Sequence, residues 1–111
     1  MTLPIPSDIL QRIIDDFGDE RASDILSDLT TRIPDGLANG TRPRHLRCII
    51  HLANGDLQKL NDYIEVCLRD TRDVMFAAEY RQTGSGFGTK LERIHDFRRP
   101  FGESTNHDGS L

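Results

Sequence analysis

Asp70, Arg72, Asp73, Glu79 and Arg81 crowd carboxylates and guanidinium groups into one short stretch of the chain. A carboxylate pair beside an arginine has the makings of acid-base chemistry in a pocket. On that chemistry the protein would be a small enzyme working through Asp70, Arg72, Asp73 and Glu79. No Ser, Cys or His nucleophile stands beside them at a recognised motif spacing, however. Helix capping by Asp70 or Thr71 and buried bridging between arginine and carboxylate account for the same residues. The expectation is therefore no catalytic residues.

The remaining reactive side chains point the same way. His45, His51, His95 and His107 are scattered, and no two of them form His-x-x-x-His. His51 closes an apolar helical stretch, where a hydrogen-bonded structural role outweighs ligation. Cys48 and Cys67 are separated by 19 positions, with no Cys-x-x-Cys and no neighbouring histidine pair, so a zinc site is not expected. Two buried thiols are favoured over a disulfide. Gly84-Ser85-Gly86-Phe87-Gly88, before Thr89-Lys90, lacks the Walker spacing and follows no expected strand, so it reads as a linker. Neither metal nor cofactor is expected.

Charge offers a different kind of site. Asp15, Asp16, Asp19, Glu20, Asp24 and Asp28 concentrate carboxylates near the N-terminus, and such a cluster could dock a basic protein. Solvated faces of amphipathic helices would produce the same pattern. Aspartates four apart, such as Asp15 with Asp19 or Asp24 with Asp28, repel unless an opposite charge arrives, which tilts the reading towards a partner. Arg42, Arg44, His45 and Arg47 carry the opposite sign at a helix start that is already positive, so they call for an anion or for carboxylates nearby. Pairing with the acidic first hairpin is the expected answer. A net charge of −4 argues against general affinity for nucleic acid or anionic membrane. No stretch approaches the roughly 20 apolar residues of a membrane span. Met1-Thr2-Leu3-Pro4 lacks the features of a signal peptide, so the expected location is the cytoplasm.

These residues need helices to hold them. The 111-residue length suits one domain, expected over 1–102, with a flexible tail over 103–111. Ile9, Leu10, Ile13, Ile14 and Phe17 form one stripe after a Ser7 cap, and Gly18 ends that helix. Ala22, Ile25, Leu26 and Leu29 form a second stripe capped by Asp19, closing a short antiparallel hairpin. Ile33 to Gly40 is a loop. A third helix, with Thr41 or Arg42 as cap and Pro43 in its first turn, carries Leu46, Ile49, Ile50 and Ala53, and Asn54-Gly55 ends it. Asp56 caps a fourth with Leu57, Leu60, Ile64, Cys67 and Leu68. A fifth, Thr71 to Arg81, carries Val74, Met75, Ala77 and Ala78 and packs on the third or fourth. From Lys90 to Phe101 a short helix or an extended strap is expected. The fold class is all-α: about five helices in antiparallel hairpins.

The run Arg47 to Leu60, continuing through Asp70-Thr71-Arg72-Asp73-Val74 and Ala78-Glu79-Tyr80, with Asp96-Phe97 and Pro100-Phe101 beyond, resembles small helical bacterial immunity proteins. That group is associated with polymorphic or contact-dependent growth inhibition toxins. The resemblance covers about residues 44 to 101 and rests on packing, capping and bridging positions, so it carries over no catalytic residue. It implies a protein that binds the C-terminal domain of a cognate toxin, a basic nuclease among the candidates, and occludes its active site without touching nucleic acid or membrane. Asp15, Asp16, Asp19, Glu20, Asp24 and Asp28 are the expected contacts, since carboxylates can mimic the phosphates a nuclease recognises. Beside this stand two alternatives: a helical adaptor for a basic or amphipathic partner, marked by an exposed apolar groove between hairpins, and the small enzyme.

Overall fold

Apolar residues one helical turn apart set the architecture, because each stripe must be covered by another. The computed structural model describes residues 5–33, 42–83 and 90–103. These run as α1 (Ser7–Phe17), α2 (Asp19–Arg32), α3 (Arg42–Ala53), α4 (Leu57–Arg69), α5 (Thr71–Glu79), β1 (Tyr80–Thr83), β2 (Lys90–Arg93) and a 3-10 turn, Phe101–Glu103. The fold is mostly helical, with the five expected helices and one small sheet.

α3 lies at the centre. Leu46, Cys48, Ile49, Ile50 and Ala53 are all fully buried, and Arg42, His45 and Arg47 join them, so little of this helix remains for solvent. It packs on α1, α4 and α5, while α2 packs on α1. Ile9 and Ile13 from α1, Ile25 and Leu29 from α2, Leu60 and Ile64 from α4 and Val74 from α5 complete one continuous core that ends on Phe97. Leu57 and Leu68 were expected on the α4 stripe, but they lie half in solvent at 44% and 46% exposure.

The connections are tight. Gly18 adopts φ 95°, donates its N–H to the Ile14 carbonyl at 2.8 Å and accepts from Ala22 N–H at 3.1 Å, so one residue closes α1 and opens α2. Only glycine takes that conformation without strain. It also corrects two expected caps. The residue before α2 is Gly18, not Asp19, and Asp19 and Glu20 sit inside the first turn, where their charge meets the positive helix end. Likewise α1 starts from Pro6 with no side-chain cap, and Ser7 is already helical. The expected Asn54-Gly55 ending of α3 is present, at φ 47° and 81°. A Cβ on Gly55 would stand 3.2 Å from the Asp16 carbonyl, so this turn also lets the end of α1 come close. Asp56 caps α4 by accepting from Gln58 N–H at 2.8 Å and Lys59 N–H at 3.1 Å. Asp70 both ends α4 and caps α5, accepting from Arg72 N–H at 2.9 Å.

The C-terminal third departs from expectation. α5 ends at Glu79 rather than Arg81, and β1 pairs antiparallel with β2 in the register Tyr80↔Arg93, Arg81↔Glu92, Gln82↔Leu91 and Thr83↔Lys90. The chain then runs as a strap that turns at Phe97 and Arg98, where Arg99 N–H donates to the Asp96 carbonyl at 3.1 Å, and it reaches the 3-10 turn at Phe101, so strand and strap occupy most of the Lys90 to Phe101 stretch. The loop expected after Ile33, the Gly84 to Gly88 linker and the tail beyond Glu103 lie outside the described residues.

Candidate functional site

The carboxylate and arginine constellation does not assemble. Asp70 and Arg72 bridge each other in solvent at 3.3 Å at the start of α5, and Asp73 is exposed beside them. Glu79 is nine residues on, about 13 Å along the helix axis at 1.5 Å per residue. It is fully buried. There its carboxylate accepts from Arg44 Nε at 2.9 Å and Nη2 at 2.6 Å, from Arg93 Nη2 at 3.0 Å and from the Phe97 N–H at 3.2 Å. Burial pushes the Glu79 pKa up, but the Arg44 hydrogen bonds and charge, the Phe97 amide and the Arg93 charge together hold it below its usual value. Glu79 is thus an ionised anchor that ties α3, β2 and the strap to the end of α5. Cys48 stands 3.9 Å away, and burial together with the Glu79 charge raises its thiol pKa far above the usual range. Burial pushes Cys67 up to about 11. Both thiols are therefore protonated near neutrality and poor nucleophiles.

The arginines of α3 point inward. Arg47 makes a two-pronged bridge to Asp8, Nε at 2.8 Å and Nη2 at 2.9 Å, and donates to the Phe97 carbonyl at 3.1 Å. Arg42 donates to the Thr30 carbonyl at 3.0 Å. Pairing with the first hairpin therefore occurs, but through Asp8 and a backbone carbonyl rather than through the six acidic candidates. Arg44 turns instead to Glu79. His51 and His95 meet edge to face at 4.6 Å between centroids, with Phe97 against both, so the structural role of His51 is ring packing. Among the described residues, no group of three or more His, Cys, Asp or Glu is placed to hold a metal ion.

The six acidic candidates divide. Asp16 is taken by Arg12 at 2.8 Å, and Asp15 accepts from the Gln11 side chain at 3.0 Å. Asp15 and Asp19 belong to different helices, with Gly18 between them, so the expected repulsion along one helix does not apply to that pair. Glu20, Asp24 and Asp28 follow one another at four-residue intervals along α2, a single row on its surface, with Arg32 as the next member. Asp19, Glu20 and Asp24 are exposed and make no ion pair to another described residue. Asp28 meets Arg32 Nη1 at 3.5 Å, and the same nitrogen donates to Asn61 Oδ1 on α4 at 2.6 Å.

Along this row α2 and α4 part to leave a groove of about 270 Å³ lined by Asp24, Ile25, Asp28, Leu57, Leu60 and Asn61. Sequence reading reached Asp24 and Asp28 but missed Leu57 and Asn61 as surface residues. Leu57 matched the apolar period of α4, and only the packing of α4 against its neighbours shows that both ends of that stripe, Leu57 and Leu68, stay uncovered. The molecule these features define is a helical domain whose buried charges tie its elements together and whose α2 surface carries a row of exposed carboxylates. No family model, no curated protein and no solved structure matches the chain.

Proposed function

We propose that this protein is an immunity protein that binds the C-terminal domain of a cognate bacterial toxin and neutralises it by occlusion, a basic nuclease domain being the partner its charge suits best. The observation that carries the reading is the carboxylate row Glu20, Asp24 and Asp28 on exposed α2, reinforced by Asp15 and Asp19. Like charges one turn apart weaken the helix that bears them, and a cationic surface converts that cost into attraction. The resemblance over about residues 44 to 101 supports the toxin as partner. Action in the cytoplasm belongs to the same proposal. Among the described residues, no helix is long and apolar enough to cross a membrane.

The test is protection. Co-expression of this chain should rescue bacteria from the toxin domain encoded beside it, and the two proteins should co-purify. Replacing Asp19, Glu20, Asp24 and Asp28 by lysine should abolish both effects while leaving the far-ultraviolet spectrum unchanged. Full protection by that variant would remove the acidic face from the mechanism, and no protection by the natural chain would remove the toxin reading. The apolar groove beside the row favours a second reading, a helical adaptor that receives a basic amphipathic segment.

A further inference from the structure

The geometry points to the groove between α2 and α4 as a socket for an arginine-bearing amphipathic segment of a protein partner. At about 270 Å³ it falls short of the roughly 300 Å³ at which pockets for whole small molecules begin, so its capacity is that of one or two side chains. The lining has two chemistries side by side. Ile25, Leu57 and Leu60 supply apolar surface, and Leu57 is 44% exposed with nothing described over it. Asp24 and Asp28 supply two carboxylates one turn apart, and Asn61 adds an amide oxygen from the facing helix. An arginine matches both parts: its methylene stem lies along apolar surface and its planar fork reaches paired oxygens. A second apolar side chain from the same helical segment, one turn away, covers Leu57.

The protein already shows this recognition on itself. Arg32, the last member of the α2 row, places one guanidinium nitrogen between Asp28 Oδ2 at 3.5 Å and Asn61 Oδ1 at 2.6 Å. It occupies the acceptors at one end of the groove and leaves Asp24 unpaired among the described residues. Arg32 is therefore an internal competitor, and an incoming arginine displaces it or docks beside it on Asp24.

This inference rests on α2 facing a partner, as proposed above, but it has its own test. The full chain, labelled with nitrogen-15, is titrated with a helical peptide carrying Leu and Arg four residues apart, and with its twin in which citrulline replaces arginine. The expected shifts are confined to residues 24–28 and 57–61, and the neutral twin binds about tenfold more weakly, the loss of a charge-assisted contact. Asp24→Asn and Leu57→Ser, both at exposed positions, each weaken binding about fivefold. Arg32→Gln tightens it about threefold by releasing Asp28 and Asn61. Equal binding of the two peptides, shifts elsewhere, or weaker binding by the Arg32→Gln variant would overturn the socket. If the toxin domain still binds in that case and is lost with the four-lysine variant, the acidic-face reading stands alone.

Discussion

Glu79 shows how far a residue's role can depart from what its type suggests. A glutamate near the end of an amphipathic helix belongs in water, yet this one is fully buried with five donated hydrogen bonds on its carboxylate, counting the long contact from Cys48. Nothing local in the sequence distinguishes it from Asp73, because its partners come from α3, β2 and the strap. Removing its charge while keeping its shape, Glu79→Gln, should cost about 2–3 kcal/mol in urea unfolding; the figure sits at the low end for a broken buried pair because Arg44 and Arg93 can turn to solvent. His51 gives the pH counterpart. Burial first, then His95 and Arg12, depress its pKa to about 4, with Asp16 opposing. The unfolded chain then takes up a proton near pH 6.5 that the folded chain refuses until about 4, so stability falls as pH drops through that window. The loss should reach about 2 kcal/mol, below the full linkage value because the ring is not completely buried, and His51→Phe should flatten the curve between those limits. The carboxylates Asp8, Glu79 and Asp96 are all held below their usual values, so their losses begin as the unfolded chain protonates, near pH 4.5 for Glu79 and 3.8 for the two aspartates, and continue below the histidine window.

Among the elements, helices were legible and strands were not. Five apolar stripes at helical spacing each became a helix, since burying such a stripe is the same problem wherever it lies in the chain. Tyr80–Thr83 and Lys90–Arg93 carry no run of alternating apolar residues, and their pairing is set by backbone register and by Arg93 reaching back to Glu79. Helix ends were legible only where a side chain or a glycine does the capping. Asp56→Ala should therefore cost about 1 kcal/mol, since two backbone N–H groups lose their acceptor, whereas Ser7→Ala should be close to neutral because Ser7 lies within α1 and caps nothing. Thermal unfolding of the two variants side by side separates them, and an equal loss would mean that Ser7 caps α1 in solution. The groove was half legible for the same reason: its acidic wall belongs to one helix and can be read from spacing, whereas its apolar wall exists only once α4 is placed against α2.

At the scale of the whole molecule, buried ionic clasps join segments distant in sequence, and they hold the C-terminal strap at two separate points. Near its start, Phe97 N–H donates to Glu79; near its end, Phe101 N–H donates to Asp8 at 3.1 Å, and Asp8 is itself clamped by Arg47. Arg47 also holds the Phe97 carbonyl, so α1, α3 and the strap meet on one guanidinium. Because the two points use different carboxylates, they should open separately. Asp8→Ala should lower global stability by about 3 kcal/mol, as it leaves a buried cation with a single carbonyl partner. In native-state hydrogen exchange it should release the Phe101 amide first, while Phe97 keeps protection from Glu79. Glu79→Ala, which removes the acceptor of the Phe97 amide, should show the reverse order. Asp8→Asn, which retains an oxygen for the Phe101 amide but not the charge that Arg47 requires, should weaken the fold nearly as much as alanine while preserving more of the Phe101 protection. Loss of both amides together in every variant would show that the strap moves as one piece with the core.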